Sequence, residues 1–514
     1  MNKASLRRRC PTKKILKWVT GLAVLAIWVM MLSLYWPYTV DDAYIVFRYA
    51  RNWARGLGLV YNPDIPVDGY TSFLWTILVG FGIRLGIPVK VEVLAKIFGT
   101  LLSIITLWIV WQLPDWNGQS RPSRWIALLF TSVAPPLVIS TIDGLETPLY
   151  CALEMALVGF WLSDVRKERL SLVSGLLAGL LSLTRPDGVL LVGIMLVLFL
   201  WFHRPQGWRK IWSASSFFVV GFGLLILPHF LWHLATYGTV FPNTFYAKGG
   251  GHPNQVLNGA LRISAAILEI GGWATLIPVL LAFTEEISPY TAALTAVVVS
   301  RVLFQLWSGG EVMGHHRFLA PALPAYFLLF QHGLDSLRRR FCVRSAWVGR
   351  YGVCLVPILI AAHMGMAPLL DIRPALLRYA QGLEQAHIRL GAWLNQHTPT
   401  TARIAIGDAG AVPYYSDRYT IDLMGLNDAY LARLPGRFGQ KVDILYVFSQ
   451  QPDYLILLSS SPPGREFRGL TAVDQALYEA VISEGNFRLH GHYEFGDSYF
   501  LWVFCEPSDC YEAN

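Results

Sequence analysis

Long uncharged apolar runs constrain this chain more than any other feature of its sequence. Segments such as IWVMMLSLYW, LLVGIMLVLFLWF and FFVVGFGLLILPHFLWHL recur through most of the chain before the carboxy-terminal part. A helix of about 20 apolar residues is long enough to cross a bilayer. A soluble core in a chain of this size could not bury all of these runs. The sequence therefore predicts a polytopic α-helical membrane protein.

Composition supports this fold class and excludes several others. Apolar residues make up 54% of the 514 residues and charged residues 15%, whereas soluble proteins carry about 25% charged residues. These values exclude a disordered chain, a collagen-like fibre and a disulfide-stapled mini-domain. A transmembrane β-barrel is also disfavoured, because its strands alternate apolar and polar residues.

The net charge of +8 comes largely from short basic runs between apolar segments. Lys and Arg in such positions are typical of the cytoplasmic loops of membrane proteins. We therefore interpret the basic runs as topology anchors and expect no nucleic-acid partner.

The six cysteines are scattered along the chain. They show no Cys-x-x-Cys or Cys/His spacing of the kind that zinc or iron–sulfur sites use, so we expect no such site. Cys505 and Cys510 lie close together in a polar tail. They could form a disulfide or remain two free thiols.

Eleven apolar segments are predicted to cross the membrane. They lie at about 15–36, 91–112, 125–141, 146–163, 170–184, 187–203, 211–234, 262–283, 288–307, 318–336 and 351–369. A twelfth segment, 71–87, is shorter and contains Arg84 and three glycines. If it crossed, the basic loops would fall on both sides of the membrane, against the positive-inside rule. We therefore expect 71–87 to be re-entrant or surface-lying, with the amino terminus in the cytoplasm.

This topology divides the chain into two predicted units. Residues 1–370 form a membrane module whose first extracytoplasmic loop covers 37–90, and residues 371–514 form an extracytoplasmic α/β domain. The second unit opens with ALLRYAQGLEQAHIRLGAWLNQH, whose apolar residues recur at helical spacing. Four strand-like runs follow, RIAIGDA, RYTIDLMGL, DYLILLSS and SYFLWVF.

The segment YTVDDAYIVFRYARNWARG holds the main candidates for chemistry, Asp41 and Asp42, directly after the first span. Two interpretations stay open. A carboxylate there can cap the following helix, or it can act as general base on a hydroxyl in a partly desolvated pocket. Tyr44 and Arg48 follow on the same helix and are candidate substrate-binding residues.

Other polar residues at the ends of spans are further candidates for substrate binding, because charges there mark functional sites by default. Tyr70 lies in VDGYTSFLW, Glu146 in DGLETPLY, and Arg185 beside Asp187 in LTRPDG. Helix capping by Glu146 and a local ion pair between Arg185 and Asp187 are equally good explanations.

Two later segments combine cations with neutral donors. FPNTFYAK offers Asn243, Tyr246 and Lys248, which suit a phosphate or a sugar, although Lys248 could equally be a membrane-surface anchor. GGEVMGHHRFLAPALP offers Glu311, His316 and Arg317, and an arginine can pair a phosphate bidentately. Metal binding by the adjacent histidines 315–316 is disfavoured, because neighbouring side chains on a helix point in different directions.

These segments occur in an order that resembles the GT-C superfamily of integral-membrane glycosyltransferases. The resemblance is to the branch of mycobacterial terminal β-arabinofuranosyltransferases (AftB) and their LphB-type relatives. It is carried by DDAYIVFRYARNWARGLGLVYNP, VDGYTSFLW, DGLETPLY, LTRPDGVLL, FPNTFYAK, GGEVMGHHRFLAPALP and GDAGAVPYYSDRYTIDLMGLND, which span most of the chain. One departure is Glu311, where relatives are expected to have Asp.

The resemblance implies transfer of a sugar from a polyprenyl-phosphate carrier to a cell-envelope glycan or glycolipid, outside the cytoplasm of a bacterium. The sugar would be a pentose such as arabinofuranose, and the reaction would invert the anomeric centre. Asp41 and Asp42 map onto the family's catalytic acidic pair, while Lys248 and Arg317 would meet the donor phosphate. A divalent cation stays open as a cofactor, with no metal ligands assigned.

Two other functions are compatible with the sequence. A transporter for a lipid-linked sugar would favour inverted repeats and charges in the middle of spans. A non-catalytic assembly or receptor protein of the envelope would tolerate changes at Asp41 and Asp42.

Overall fold

The computed structural model describes residues 11–116, 124–249, 254–284, 286–310, 315–341 and 353–507. Helices make up most of the structure up to the carboxy-terminal sheet. They are α1 Pro11–Tyr35, α2 Asp41–Ala54, α3 Phe73–Arg84, α4 Val91–Trp116, α5 Trp125–Val133, α6 Pro135–Ile142, α7 Thr147–Arg166, α8 Leu172–Thr184, α9 Gly188–His203, α10 Trp208–Tyr237, α11 Asn243–Ala247, α12 Gln255–Glu269, α13 Trp273–Leu281, α14 Pro289–Ser308, α15 Ala322–Phe341, α16 Val353–Met366, α17 Ile372–Gly382 and α18 Arg389–His397.

The carboxy-terminal unit alternates strands with short helices. Its elements are β1 Arg403–Ile406, α19 Ala411–Ser416, β2 Tyr419–Asp422, α20 Ala429–Arg433, α21 Ile444–Ser449, β3 Tyr454–Ser459, α22 Ala472–Glu484, β4 Arg488–Phe495 and β5 Tyr499–Cys505. The predicted fold class, a helical membrane protein with a carboxy-terminal α/β unit, is confirmed.

Among the described residues, seven helices are long and apolar enough to cross a membrane, or up to nine if each of two bent pairs is one span. The bent pairs are α5 with α6, at 57°, and α12 with the helix that follows it, at 97°. Every predicted span coincides with a helix or a bent pair, but α8 has 13 residues. The count of eleven spans therefore stays a prediction.

The predicted non-crossing segment 71–87 contains the short apolar helix α3. Its 12 residues extend about 18 Å, which is short of the ~30 Å hydrocarbon core. The helix packs closely on α2, since a Cβ on Gly80 would lie 3.0 Å from the Ala50 carbonyl oxygen. The indole of Trp75 donates a hydrogen bond to the Gly144 carbonyl at 3.0 Å. Its length and packing suit a helix that lies against the other helices.

The carboxy-terminal unit is built on a five-stranded sheet in the order β2-β1-β3-β5-β4. Strand β1 pairs in parallel with β2 on one side and with β3 on the other. Strand β5 then pairs antiparallel with both β3 and β4. The four strands expected from the sequence are present, and the edge strand β4 is an addition. The chain leaves β1 toward β2 and leaves β3 toward the opposite edge, so the two connections diverge at the carboxyl ends of β1 and β3.

The sheet packs directly against the helices that follow the first span. One continuous apolar core includes Phe47 of α2, Leu390 of α18 and Ile404 of β1, all fully buried. Helix α2 is buried along most of its length, so it lies between the membrane helices and the sheet. The fold therefore sets the amino-terminal end of α2 against the carboxy-terminal unit.

Candidate active site

Asp41 and Asp42 form the first turn of α2, at the junction of the membrane helices and the sheet. The helix N-cap is Val40, whose side chain makes no cap hydrogen bond. The interpretation of either aspartate as the N-cap residue is therefore wrong. Both carboxylates are half-buried and lie where the helix dipole stabilises negative charge.

The Asp41 carboxylate is bound by the carboxy-terminal unit. Its Oδ1 accepts a hydrogen bond from the Ala411 amide at 2.8 Å. The Asp41 amide donates to the hydroxyl oxygen of Tyr379 at 3.1 Å. A Cβ on Gly410 would lie 2.2 Å from Asp41 Oδ2, so the close approach requires glycine there. These contacts link residues more than 300 positions apart.

A second cluster of polar groups stands beside Asp41. Nε2 of His387 lies 3.0 Å from Oδ2 of Asp408. The hydroxyl of Tyr499 donates to the same oxygen at 3.0 Å. His387 is carried by a π-helical turn, Leu383–Ile388, between α17 and α18, and such insertions are frequent at functional sites.

The surroundings of Asp41 disfavour its charged form. Burial raises its pKa to about 7, and the negative charges of Asp408 and Asp42 act in the same direction. The imidazole of His387 and the Ala411 amide oppose the shift. A carboxyl group that titrates near neutrality is suited to proton transfer at physiological pH.

Asp42 differs from its neighbour in having a carboxylate that is available. Within the described parts of the chain, no hydrogen bond or ion pair engages its side chain. The carboxylate is half-buried beside Asp41. A general base needs a lone pair that can reach the substrate proton, and geometry takes precedence over pKa. Asp42 meets that requirement better than Asp41 does.

Two other predicted segments meet near the same point. The Val40 amide donates to the backbone carbonyl of Asp143 at 3.1 Å. His315 Nε2 lies 4.0 Å from Asp143 Oδ2, and the ring of Tyr38 packs edge-on to His315. The segments DGLETPLY and HHRF therefore converge with the acidic pair.

Three predicted binding residues of this region are instead structural. Tyr44 is buried among aromatic rings, including Tyr414 and Tyr415. Tyr70 is buried with its hydroxyl 3.2 Å from that of Tyr237. Arg48 donates all of its N–H groups to protein acceptors, namely the carbonyls of Tyr61, Pro413 and Arg418 and the side chains of Asn62 and Thr420. Arg48 is therefore a clamp between α2 and the carboxy-terminal unit.

Glu146 and Arg185 belong to a buried ion-pair network at the ends of the membrane helices. Arg185 lies 3.1 Å from Glu146 and 3.0 Å from Asp187. Asp187 also pairs with Arg301 of α14, whose side chain is fully buried. Each group has an ion-pair partner within the network, which makes a structural role the better explanation for Glu146 and Arg185.

The segment FPNTFYAK contacts the carboxy-terminal unit. The Asn243 side chain donates to the carbonyls of Gly425, Leu426 and Asp428. The Tyr246 ring lies under the guanidinium of Arg433. Both residues therefore hold the two units together, whereas Lys248 is exposed, with its Nζ 5.8 Å from the Phe438 ring.

The last predicted group is only partly described. His316 lies 3.1 Å from Glu269 and has a positive φ of 54°. Arg317 is half-buried, with its guanidinium over the ring of Phe318. Glu311 lies outside the described residues.

No group of three or more His, Cys, Asp or Glu side chains suited to a metal ion is found among the residues that the structure describes. Cys505 is disulfide-bonded, while Cys510, its expected partner, lies outside the described residues. Cys151 is buried and free.

Sequence reasoning missed Tyr379, His387 and Tyr499. The first two lie in the segment predicted as an amphipathic helix and the third in a predicted strand, where nothing marked them as polar site residues. Asp408, in GDAGAV, was recognised only as a polar group of the resemblance. Their contacts with Asp41 depend on how the sheet docks.

Comparison with known proteins finds a family model that matches the carboxy-terminal unit and a relative that matches less than half of the chain. Residues 375–503 match a family model described as "Domain of unknown function (DUF8728)". Over 246 residues, 45% of the chain, the sequence is 28% identical to the terminal β-(1→2)-arabinofuranosyltransferase of Mycobacterium tuberculosis. The match covers 37% of that protein, so the chain spans little more than a third of the curated relative.

Solved structures show the same architecture. ArnT from Cupriavidus metallidurans bound to undecaprenyl phosphate aligns with a TM-score of 0.61 and 13% identity, over 96% of this chain and 98% of that chain. AglB from Archaeoglobus fulgidus, in complex with an inhibitory peptide and a dolichol-phosphate, aligns with a TM-score of 0.51 and 11% identity, over 85% and 70%. The chain therefore has the fold of ArnT and AglB, in agreement with its resemblance to the GT-C superfamily. Its predicted resemblance to the arabinofuranosyltransferase branch is confirmed by the sequence match.

Proposed function

We propose that the protein is a glycosyltransferase that moves a sugar from a polyprenyl-phosphate carrier to a cell-envelope glycan or glycolipid. The observation that carries the proposal is the half-buried acidic pair at the start of α2, enclosed between membrane helices and the sheet. A site in that position can receive a lipid carrier from the bilayer and a polar acceptor from water. The fold and the arabinofuranosyltransferase similarity support the same reaction class.

A polyprenyl-phosphate donor fits the neighbours of this fold. The ArnT structure holds undecaprenyl phosphate and the AglB structure holds dolichol-phosphate, and both ligands are lipid phosphates. Arabinofuranose is the first donor sugar to test, since the matched relative transfers it. Lys248 and Arg317 are the proposed partners of the donor phosphate, because Lys248 is exposed and Arg317 half-buried.

In the proposed reaction Asp42 removes the proton from an acceptor hydroxyl. The acceptor oxygen forms a bond to the anomeric carbon while the bond from that carbon to the phosphate oxygen breaks. The polyprenyl phosphate leaves with the bonding electrons, and nearby cations stabilise its charge. Because attack and departure occur on opposite faces, a single displacement inverts the anomeric configuration.

The same proposal sets the orientation in the membrane. The protein lies in the bacterial plasma membrane with its amino terminus in the cytoplasm. The acidic pair and the carboxy-terminal domain, 371–514, lie on the extracytoplasmic side of the membrane module, 1–370. The basic residues between spans support this orientation through the positive-inside rule.

The test uses purified full-length protein in nanodiscs with a panel of synthetic polyprenyl-phosphate sugars, including the arabinofuranose donor, and mixed oligosaccharide acceptors. Mass spectrometry reports the product and NMR its anomeric configuration. We expect transfer by the wild type, with inversion, and none by Asp42→Asn at an unchanged unfolding temperature. Donor binding without transfer to any acceptor or to water would contradict the proposal.

A further inference from the structure

The carboxyl edge of the carboxy-terminal sheet lies close to the acidic pair. Strand β1 has a parallel neighbour on each side. The chain leaves β1 toward β2 at one edge of the sheet and leaves β3 toward β4 at the other edge. Ligands of open α/β sheets bind outside the carboxyl ends of strands where connections diverge in this manner. The loop that leaves β1 here, 407–410, runs directly to Asp41.

Polar groups converge on this edge from three elements. Asp408 comes two residues after β1. Tyr499 opens β5, whose second residue pairs with Ser459 at the carboxyl end of β3. His387 reaches the edge from the π-helical turn. Topology therefore assembles a carboxylate, a phenol and an imidazole that are distant in sequence.

The Asp408 carboxylate is held on one oxygen and open on the other. Oδ2 lies 3.0 Å from both His387 Nε2 and the Tyr499 hydroxyl. In the described parts of the chain no hydrogen bond reaches Oδ1, and the side chain is 33% exposed. His387 is itself fully buried, so it fixes the orientation of the Asp408 carboxylate from the protein interior. An oriented carboxylate with a free oxygen is an acceptor for hydroxyl donors.

Aromatic rings flank this carboxylate. The rings of Tyr499 and Phe495 stack with centroids 4.6 Å apart. Tyr379 packs on Phe495 and accepts the hydrogen bond from the Asp41 amide. Aromatic residues with a polar tip suit ligands that are apolar on one side and hydroxylated on the other. A sugar ring has that character.

We propose that Asp408, oriented by His387 and Tyr499, binds a hydroxyl of the acceptor glycan and forms a neutral-sugar subsite beside Asp41 and Asp42. This inference rests on the proposed function for its place in the reaction. The hydroxyl that Asp408 holds is a neighbour of the one that Asp42 deprotonates. The membrane module then serves the lipid-linked donor and the carboxy-terminal unit the acceptor.

Acceptor binding tests the subsite without requiring catalysis. Wild-type protein and Asp408→Asn in nanodiscs are titrated with neutral arabinofuranose, arabinopyranose and hexose oligosaccharides, and saturation-transfer NMR reports binding. Asp408→Asn is expected to weaken binding of the preferred oligosaccharide about 10- to 100-fold, the effect of losing a hydrogen bond to a charged group. Tyr499→Phe, which keeps the ring and removes one hydrogen bond to Asp408, is expected to weaken it by a smaller factor and covers the case in which Asp408→Asn does not fold.

Asp497→Asn is the matched control, since Asp497 is an exposed carboxylate two residues from Tyr499. It is expected to bind the oligosaccharide as the wild type does. Wild-type affinity in both Asp408→Asn and Tyr499→Phe, or no binding of any neutral oligosaccharide by the wild type, would overturn the subsite. Binding that depends on Asp408, in a protein that transfers no donor sugar to sugar or water, would instead overturn the proposed function alone.

Discussion

Two groups of charged residues lie near the ends of the membrane helices, and they differ in how completely they are paired. In the first, Glu146, Arg185, Asp187 and Arg301 give two carboxylates and two guanidiniums in mutual contact. In the second, the carboxylates of Asp41, Asp42 and Asp408 stand together with the imidazole of His387 as the basic group.

This difference in pairing predicts a structural role for the first group and a chemical role for the second. A paired network satisfies its own charges and stabilises the packing of the helices. In the second group, burial raises the pKa of Asp41, and the negative charges of Asp408 and Asp42 raise it further. The excess of carboxylates also leaves oxygens available to a substrate. We therefore expect changes in the first group to act on stability and changes in the second to act on transfer.

The largest effect is expected at Asp42. Asp42→Asn keeps the size of the side chain and removes the base, so kcat for transfer should fall about 10²- to 10⁴-fold, the usual contribution of general-base catalysis. The rate is measured by mass spectrometry with a saturating lipid-linked donor. Asp42→Glu should retain more activity than Asp42→Asn. Equal activity in the wild type and Asp42→Asn would contradict the assignment.

Arg301→Met tests whether the paired network contributes to stability. Removing one member of a buried ion pair leaves an uncompensated charge, and the cost is about 3–5 kcal/mol. We expect a large fall in the unfolding temperature measured in detergent. Arg55→Met is the control, because its ion pair with Asp417 is exposed and should contribute less than about 1 kcal/mol. A similar fall in the unfolding temperature of both variants would contradict the structural role of the buried network.

Gly410→Ala tests the contact between the carboxy-terminal unit and Asp41. The new Cβ would lie 2.2 Å from Asp41 Oδ2 and 2.3 Å from its carbonyl oxygen, so the loop must move at a cost of about 1–3 kcal/mol. Transfer activity should fall about tenfold, the order of magnitude that the strain predicts. Gly491→Ala in β4, where the Cβ would meet no atom within 4 Å, should behave as the wild type.

The pH dependence of stability is expected to show the burial of Asp41. Its pKa is raised from 3.8 to about 7 in the folded protein, so the folded state binds more protons than the unfolded state between those values. The free energy of unfolding then falls as pH rises, by at most about 1.4 kcal/mol per pH unit from this group.

The measurement compares unfolding temperatures of the wild type and Asp41→Asn. The wild type should lose stability relative to Asp41→Asn between pH 5 and pH 8, since the variant lacks this titration. A difference between the two proteins that stays constant or grows in favour of the wild type as pH rises would show that Asp41 is not destabilised by ionisation.

Much of the fold could be predicted from the sequence because its signals are local. Uninterrupted apolar runs gave the membrane helices, and four strands were apolar enough to be recognised. Strand β4 was missed because its sequence, RLHGHYEF, is mostly polar and exposed at the sheet edge. The expectation that 71–87 does not cross the membrane stays a prediction, which the 12-residue length of α3 supports.

The site was predictable only where its residues are neighbours in sequence. Asp41 and Asp42 are adjacent and follow a span, which made them visible. Arg48 was a candidate for substrate binding because the sequence does not show that five protein acceptors surround it. His387 and Tyr499 reach Asp408 through the topology of the sheet and a π-helical turn, and neither has a pattern that a single sequence reveals.

One experiment tests the central claim most directly, namely that the available carboxylate of Asp42 carries chemistry and the carboxylates of the ion-pair network carry stability. Asp42→Asn and Asp187→Asn are purified in parallel, and each is measured for unfolding temperature and for transfer per folded molecule. The account predicts that Asp42→Asn keeps the wild-type unfolding temperature and loses transfer, while Asp187→Asn unfolds at a lower temperature and retains transfer. An Asp42→Asn protein that transfers sugar at the wild-type rate, or an Asp187→Asn protein that is stable but inactive, would contradict it.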